Sequence, residues 1–188
     1  MSVLVTGGAG YIGSHMVLEL VDAGERVVVI DNLSTGFAWA VAPAATLVVG
    51  DIADTDLIRS VILDHDVTAI MHFAGSIVVP ESVAKPLEYY LNNTVNSHGL
   101  IACAVETGVK HFIFSSTAAV YGNPQDIPVT ETAALQPMSP YGASKLMTEI
   151  MLKDTAAAHD FSYVALRYFN VAGADPKGRS GQSTPRST

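Results

Sequence analysis

The sequence predicts an α/β fold in which a doubly wound parallel sheet is covered by helices on both faces. Short apolar runs alternate along the chain with longer stretches of helical pattern. The runs do not alternate between apolar and polar residues, so they fit strands that are buried on both faces. A loop with glycines at positions 7, 10 and 13 follows the first run directly. Together these observations are typical of an open sheet built from strand and helix pairs.

Six strands and four helices follow from this pattern. The predicted strands are 3–5, 27–30, 47–49, 69–73, 111–114 and 163–166, and the predicted helices are about 11–23, 54–65, 86–107 and 140–159. Asp54 and Ser139 are suited to cap helix N-termini, and Pro140 then takes the first helical position. Gly24 and Gly108 are suited to end helices in a left-handed conformation. The connections between parallel strands are expected to be right-handed.

The composition describes a chain that can form one packed domain. It has 188 residues, of which 49% are hydrophobic and 15% charged, and this balance favours a folded globule over disorder. Ten basic and 18 acidic residues give a net charge of −8, which disfavours nucleic acid and anionic membrane surfaces as partners. Cys103 is the single cysteine, and we see neither a basic leader nor an apolar stretch of the roughly 18 residues that a membrane span requires. We therefore expect a cytoplasmic protein without an internal disulfide.

The glycine loop predicts a dinucleotide site. At a strand-to-helix turn, Gly7, Gly10 and Gly13 would let a pyrophosphate approach the backbone more closely than a Cβ allows, and helix amides would bind it. Asp31 ends the second strand, where a carboxylate can accept hydrogen bonds from the adenosine ribose. No arginine lies beside it, so NAD is favoured over NADP. The alternative is a tight turn with a capping aspartate, and Asp51 fits either an adenine contact or a plain loop carboxylate.

The fourth predicted helix carries a candidate acid–base pair. Tyr141 and Lys145 are four residues apart and therefore share one helix face. A phenol titrates at about pH 10, but a lysine ammonium, a helix N-terminus and a nicotinamide cation each favour the phenolate. The spacing alone also fits an exposed helical pair. Ser115 and Thr117 follow the fifth strand, at the edge where such sheets bind ligands, so Thr117 could bind a sugar or ketone oxygen, or both hydroxyls could serve the loop backbone.

Eight segments combine into a specific pattern, namely 5–15, 31–33, 50–52, 72–75, 89–93, 114–117, 141–145 and 167–170. Over residues 1 to about 184, the chain resembles the N-terminal portion of the UDP-glucose 4-epimerases, in the extended short-chain dehydrogenase/reductase superfamily. The resemblance implies a Rossmann-like NAD-binding domain. It also implies NAD-dependent epimerisation at C4 of a nucleotide-diphosphate sugar, UDP-glucose or UDP-galactose, by transient hydride transfer.

The same resemblance implies roles for individual residues. The catalytic set would be Tyr141, Lys145 and Thr117, and the nucleotide sugar would contact Thr117, Tyr141 and Asn170. The residues implied to contact NAD are Gly7, Gly10, Tyr11, Ile12, Gly13, Asp31, Asn32, Asp51, Ile52, Phe73, Ala74, Gly75, Asn92, Ser115, Tyr141, Lys145 and Tyr168.

The chain departs from the family pattern in three respects. Thr117 replaces the more usual serine, and Ile77 stands where many epimerases carry a lysine. Family members are also longer, so the C-terminal substrate domain is expected to be largely absent and the chain's own turnover weak or lost. We expect residues 1–172 to form the NAD-binding domain and residues 173–188 to form a polar tail, the start of a truncated substrate-binding region.

Two other functions remain open from the sequence. The chain could be a noncatalytic NAD-binding fragment or interaction module. It could also be an NDP-sugar 4,6-dehydratase, although Ala118 and Ala119, which follow Thr117, provide neither an acid nor a base.

Three further features have more than one interpretation. His72 is expected to be a hydrogen-bonded core residue rather than a metal ligand, and no metal site is predicted. Asn92 and Asn93 oppose helix propensity, so they could face either the cofactor or solvent. The helices at 86–107 and 140–159 could pair in a homodimer, as in similar epimerases.

Overall fold

The computed structural model describes residues 1–183, which contain a six-stranded parallel sheet. Its strands are β1 (Ser2–Thr6), β2 (Arg26–Asp31), β3 (Thr46–Val49), β4 (Ala69–His72), β5 (His111–Ser115) and β6 (Ser162–Leu166). The strand order is β3-β2-β1-β4-β5-β6. The predicted doubly wound sheet is thereby confirmed. In such a sheet the change of direction between β1 and β4 opens a crevice at the carboxyl ends of the strands.

Helices cover the sheet and begin and end close to the predicted positions. They are α1 (Tyr11–Asp22), α2 (Thr55–Asp64), α3 (Val79–Ala84), α4 (Pro86–Tyr89), α5 (Asn96–Glu106) and α6 (Pro140–Ala158). Asp54 accepts a hydrogen bond from the amide of Leu57 and Ser139 accepts one from the amide of Gly142, so both predicted caps are confirmed. Gly24 and Gly108 have φ values of +80° and +77°. Within residues 1–183, no helix has the length and apolarity that crossing a lipid bilayer requires.

The prediction of one helix over 86–107 is wrong in its details. A segment of π-helix, Tyr90–Val95, separates α4 from α5. In this segment Asn93 is buried, and its amide bonds to the backbone of Ser76 and to Ser144, so tertiary hydrogen bonds compete with regular helix geometry. Helix α3 was not predicted, because its second residue is a proline, although proline is tolerated in a first helical turn.

The expectation that every strand is buried on both faces holds for β1 and most of β2 but is wrong for β3 and β6. These two strands form the edges of the sheet within the described residues. Val49 is 62% exposed and Val164 is 52% exposed. An edge strand has a neighbour on one side only, so an apolar run does not guarantee burial there.

Apolar side chains pack on both faces of the sheet. On one face, Leu4, Ile30 and Ile70 pack with side chains from α2, α5 and α6, such as Ile58 and Leu152. On the other face, alternate residues of β1 and β2 pack with α1 through a separate cluster, which includes Val3, Val5, Val27, Val29, Val17 and Leu18. Successive residues of each central strand thus serve opposite layers, and the carboxyl edge of the sheet remains free for a site.

The glycine loop is packed more tightly than any side chain would allow. Gly7 has a φ of +70°, and a Cβ built on it would lie 2.5 Å from the amide nitrogen of Ala74, which follows β4. A Cβ on Gly13 would lie 2.2 Å from the carbonyl oxygen of Gly7. The first turn of α1 therefore rests directly on the loop backbone, and the loop rests on the chain after β4.

Residues 173–183 of the predicted polar tail lie along α1. At one end, the hydroxyl of Tyr11 donates to the carbonyl oxygen of Gly173 at 2.6 Å. At the other end, Arg179 pairs with Asp22 at 2.9 Å and with Asp175 at 2.7 Å. The pairs of Asp22 with Arg179 and with Lys177 lower its pKa to about 2. The last five residues of the predicted tail, 184–188, lie outside the described part of the chain.

The close approach of Gly13 to Gly7 gives a test of the loop packing. We expect Gly13→Ala to lower the free energy of unfolding by about 1–3 kcal/mol, because backbone atoms must move to admit the methyl group. Gly173→Ala is the matched control, since a Cβ there would have no heavy atom within 4 Å. Urea denaturation followed by circular dichroism measures both variants, and equal stability of the two would contradict the packing described for the loop.

Candidate active site

The glycine loop forms a backbone cradle at the start of α1. Gly10 is the N-cap residue, and within residues 1–183 no side chain caps this helix end. The first amides of a helix have no partner within the helix and carry its positive end, so they attract an anion. A Cβ on Gly10 would meet only the carbonyl oxygen of Gly7, at 3.3 Å, so the space beside Gly10 is otherwise open. Predicted residues Tyr11 and Ile12 form the first turn that follows.

Asp31 connects the end of β2 to this cradle. One carboxylate oxygen accepts from the amide of Ala9 at 2.9 Å, and the other accepts from the amide of Leu33 at 2.8 Å. The side chain is buried, yet each oxygen keeps acceptor capacity for a further hydrogen bond. The carboxylate of Asp31 therefore holds the turn, as one of the two interpretations predicted. It could still accept a hydrogen bond from a ribose, as the other interpretation requires.

A second carboxylate lies beside the same strand ends. Asp51 follows β3 and accepts from the side-chain amide of Asn32 at 2.8 Å. Its other oxygen accepts from the amide of Ala53 at 2.9 Å, so Asp51 does serve its own loop. The neighbouring Ile52 is buried. The structure thus brings Asp51, which was predicted to contact either an adenine or its own loop, together with Asn32, a predicted NAD contact.

The chain after β4 joins the cradle to the acid–base pair. The amide of Phe73 donates to the carbonyl oxygen of Thr6 at 2.9 Å, beside the start of the glycine loop. A Cβ on Gly75 would lie 3.0 Å from the side-chain oxygen of Asn93 and 3.4 Å from the Nζ atom of Lys145. The predicted group Phe73, Ala74 and Gly75 therefore runs from the cradle towards α6.

Lys145 is a buried cation. Its side chain is 3% exposed, and its ammonium donates to the carbonyl oxygen of Ser115 at 3.0 Å. The Nζ atom also lies 4.9 Å from the centre of the Phe114 ring. Burial lowers the pKa of Lys145 to about 8, because removal from water disfavours the charged form. The group is still mostly protonated at neutral pH.

Tyr141 lies on the same face of α6, close enough to Thr117 for that hydroxyl to affect its pKa. Burial raises the pKa of Tyr141, and the interaction with Thr117 opposes part of that rise. The sequence suggested a lowered pKa for Tyr141, through three groups that favour the phenolate. Of these, the nicotinamide cation is not part of the chain, and the Lys145 ammonium donates its hydrogen bond to the carbonyl oxygen of Ser115. The helix N-terminus alone does not overcome the desolvation of the phenol.

Ser115 and Thr117 have distinct partners at the end of β5. The hydroxyl of Ser115 pairs with that of Tyr168, whose pKa burial also raises. Thr117 accepts a hydrogen bond from the amide of Ala119 at 3.1 Å and so caps the turn Ala118–Tyr121. The alternative interpretation, in which these hydroxyls serve the loop backbone, is therefore right for Thr117, although this residue also reaches Tyr141. Asn170, a predicted substrate contact, is exposed.

The paired asparagines of the π segment hold a loop. Asn93 accepts from the amide of Ser76 at 2.8 Å and donates to its carbonyl oxygen at 2.9 Å. Asn92 donates to the hydroxyl of Ser76 at 2.8 Å. Sequence reasoning missed Ser76 and the part that Asn93 plays. The available signal was a pair of asparagines inside a helical pattern, without any indication of their partner.

His72 is the core residue that the sequence predicted. It is fully buried, with Nδ1 2.6 Å from the hydroxyl of Thr6 and Nε2 2.8 Å from the hydroxyl of Ser97. Burial, together with the charge of Lys145, lowers the pKa of His72 to about 3, so the ring is neutral at neutral pH. Among the residues described, no cluster of three or more histidine, cysteine, aspartate or glutamate side chains has a metal-binding arrangement.

Comparison with known protein sequences identifies the family of this chain. The profile of the NAD dependent epimerase/dehydratase family matches residues 3–187. UDP-glucose 4-epimerase from Azospirillum brasilense is 59% identical over 186 residues, which cover 99% of this chain and 53% of that protein. UDP-glucose 4-epimerase from Streptococcus mutans is 50% identical over 97% of this chain and 55% of its own length. The chain therefore spans about half the length of the curated relatives that it matches.

Solved structures give the same result. UDP-glucose 4-epimerase from Brucella ovis, in complex with NAD, has a TM-score of 0.96 and 43% identity, and the match covers all of this chain and 57% of that one. The enzyme from Bifidobacterium longum, in complex with NAD+ and UDP, has a TM-score of 0.93 and 37% identity over 99% of this chain and 58% of its own. Sequence and fold thus agree, and the chain belongs to the NAD dependent epimerase/dehydratase family.

Proposed function

We propose that this chain supplies the cofactor site and the acid–base residues of an enzyme that inverts C4 of a UDP-hexose, interconverting UDP-glucose and UDP-galactose. The relatives named UDP-glucose 4-epimerase support this reaction. The observation that carries the proposal is the meeting of Tyr141, Lys145 and Thr117 beside the glycine cradle. Because the chain spans about half the length of those relatives, the proposal assigns to it only part of the sugar site.

The residues of the cradle fit NAD. The open space beside Gly10 admits a pyrophosphate, and the carboxylate of Asp31 retains acceptors for ribose hydroxyls. When bound, NAD would supply a reversible hydride acceptor for C4 of the sugar. The other residues that we propose to hold it are Gly7, Tyr11, Ile12, Gly13, Asn32, Asp51, Ile52, Phe73, Ala74, Gly75, Asn92, Ser115, Tyr141, Lys145 and Tyr168.

Tyr141 would move the proton that accompanies each hydride transfer. As a phenolate it would take the proton from the C4 hydroxyl, and as a phenol it would return that proton to the oxygen afterwards. Thr117, which lies close to Tyr141, would donate a hydrogen bond to the same sugar oxygen. Lys145, charged at neutral pH, and a positive nicotinamide ring would both favour the phenolate. Asn170 would contact the nucleotide diphosphate.

The same observations bear on the alternatives. A 4,6-dehydratase needs a further acid and base beside the catalytic hydroxyl, and Ala118 and Ala119 in the turn after Thr117 supply neither, so dehydration is not favoured. A noncatalytic NAD-binding fragment is the outcome to expect if the chain binds NAD but has no affinity for UDP. A single buried cysteine suits the reducing cytoplasm, where we propose that the protein works.

Replacement of the phenol tests the proposed chemistry. We expect the chain to bind NAD+ and Tyr141→Phe to bind it with affinity within about threefold of the original chain. Any conversion of UDP-galactose to UDP-glucose should fall by about 10²-fold or more, since general acid–base catalysis is lost. Calorimetry with NAD+ and with UDP, measured separately, and a coupled assay for UDP-glucose provide the readouts. Turnover that persists in Tyr141→Phe would overturn the assignment, and absence of NAD+ binding would overturn the proposal.

The charge of Asp31 gives a test of cofactor choice. A carboxylate repels the 2′-phosphate of NADP, so we expect the original chain to bind NAD+ more tightly than NADP+. In Asp31→Asn the ratio of the affinity for NAD+ to the affinity for NADP+ should fall by about tenfold, which corresponds to roughly 1.4 kcal/mol. Asp126→Asn is the charge-matched control, on an exposed loop outside the site. Calorimetric affinities for both nucleotides give the ratio, and an unchanged ratio in Asp31→Asn would contradict the proposed position of the ribose.

We also propose that a second copy of the chain covers an apolar stripe on α3, α4 and the π segment. Val83, Leu87, Leu91 and Val95 recur at every fourth residue, and they are 64%, 80%, 58% and 56% exposed. Val83 lies on α3, Leu87 on α4, and Leu91 and Val95 on the π segment, and α6 packs beside all three elements. An exposed apolar surface of this kind favours a self-complementary pairing of two copies about a twofold axis. Three of the four residues belong to the predicted helix 86–107, and the predicted helix 140–159 is the neighbouring α6.

The oligomeric state tests this pairing. We expect the original chain to be dimeric and Leu87→Glu to be monomeric, because a dimer would bury the new charge without a partner. Leu63→Glu is the control, since Leu63 is a 58% exposed residue of α2 outside the stripe. Native mass spectrometry and light scattering measure the mass of each. A monomeric original chain, or a dimer that survives Leu87→Glu, would exclude this surface.

A further inference from the structure

A buried carboxylate near the site has no part in the chemistry proposed above. Glu149 is 6% exposed and lies on α6, four residues after Lys145 and eight after Tyr141. That spacing keeps the three side chains on one face of the helix. A charge removed from water to this extent is costly unless it is paired and hydrogen-bonded, so the partners of Glu149 explain its presence.

Two side chains satisfy this carboxylate. Arg167 donates Nε at 3.0 and 3.1 Å to its two oxygens and a terminal nitrogen at 2.6 Å to one of them. The hydroxyl of Ser116 donates to Glu149 as well. Arg167 also donates to the hydroxyl of Tyr121 at 3.0 Å and lies 5.2 Å from the centre of that ring. The pair with Glu149 raises the pKa of Arg167 further above its usual value.

Each partner of Glu149 adjoins a residue of the candidate active site. Ser116 precedes Thr117, a residue close enough to Tyr141 to affect its pKa. Arg167 precedes Tyr168, whose hydroxyl pairs with that of Ser115. The backbone strengthens the link, since the amide of Ala118 donates to the carbonyl oxygen of Tyr168 at 2.9 Å.

The strand ends that carry these residues lie beyond the last strand pairing. Beyond Ser115 and Leu166 the ladder between β5 and β6 stops, and β6 is the edge of the sheet in the described part of the chain. Side chains past the end of a ladder keep a fixed position only if something else holds them. Glu149 contacts both segments at once, from the helix that carries Tyr141.

We propose that Glu149 is a positioning residue that holds Thr117 and Tyr168 against Tyr141, acting through Ser116 and Arg167. The inference deepens the proposed function, on which it rests for the roles of those residues. Loss of the carboxylate would release Ser116, and the Thr117 hydroxyl would then move away from the phenol. Tyr141 would lose the interaction with Thr117 that favours its ionised form.

The titration of Tyr141 in the chain without nucleotide tests this proposal. Near-ultraviolet absorbance during a pH titration, with the curve of the corresponding Tyr141→Phe background subtracted, isolates the ionisation of this phenol. In Glu149→Ala, which removes both acceptor oxygens, we expect the apparent pKa of Tyr141 to rise by on the order of half a unit, the size expected when one hydrogen bond to the phenolate is lost. Thr117→Val, which removes that bond directly, sets the full size of the effect.

The sign of the change separates positioning from simple electrostatics. Removal of a negative charge by itself favours the phenolate and lowers the pKa of a nearby tyrosine, so Asp154→Asn, an exposed neutralisation on the same helix, should give no rise. A fall or no change in Glu149→Ala would overturn the proposal. Because nucleotide and sugar are absent from this measurement, its outcome is independent of the turnover and NAD+ tests of the proposed function.

A second variant keeps the proposal testable if the first is too unstable to titrate. Glu149→Leu combined with Arg167→Met replaces the ion pair by apolar side chains, an exchange that often preserves stability. We expect this double variant to unfold at a urea concentration close to that of the original chain and still to show the raised pKa of Tyr141. If the double variant is stable and the apparent pKa of Tyr141 equals that of the original chain, Glu149 serves stability alone and the proposal is overturned.

Discussion

The burial of a cation and an anion from one face of α6 is the constraint on which the candidate site depends. Lys145 and Glu149 are almost inaccessible to water, and neither can be buried cheaply as an isolated charge. Lys145 bonds to the carbonyl oxygen of Ser115, and Glu149 bonds to Ser116 and Arg167. All of these partners lie at or just beyond the ends of β5 and β6. The chain can therefore satisfy both charges only by holding these strand ends against the helix that carries the phenol.

A steric constraint places the nucleotide cradle next to this arrangement. The turn after β1 fits against the chain after β4 because Gly7 has no side chain, and α1 fits onto the turn because Gly13 has none. The segment after β4 then reaches Gly75, where a Cβ would lie within 3.4 Å of both Asn93 and Lys145. One short run of backbone thus touches the cradle at one end and the buried lysine at the other. The distance between the two halves of the site is fixed by main-chain atoms packed together at the cradle and by buried side-chain atoms of Asn93 and Lys145 packed against Gly75.

The sequence predicted those parts of the molecule that depend on local pattern. Alternation of apolar runs with helical stretches was sufficient for the sheet, and the caps at Asp54 and Ser139 were visible because a cap involves neighbouring residues. The exposure of β3 and β6 was not predictable in this way, since strand order decides which strand lies at an edge. The contacts of Asn93 with Ser76 and of Glu149 with Arg167 join residues 17 and 18 positions apart, so no local pattern reveals them. The direction of the pKa change at Tyr141 was missed for a related reason, because desolvation depends on the whole surrounding structure.

The path of the chain after β6 shows that a polar segment can be directed without an apolar core. Residues 173–183 contain almost no apolar side chains, and their composition alone predicts a solvated tail. Two aspartates nevertheless share the guanidinium of Arg179, and one of them, Asp22, lies on α1 and also pairs with Lys177. Exposed ion pairs contribute little to stability, but opposite charges at fixed positions on a helix still favour one course of the chain over others. Tyr11 binds Gly173 at the start of α1, and Asp22 holds Lys177 and Arg179 at the far end of that helix. The hydroxyl oxygen of Ser180 then lies 3.3 Å from that of Ser14, in the first turn of α1. The segment therefore runs along α1 and turns back towards the cradle, and the charge of Asp22 favours the position of that turn.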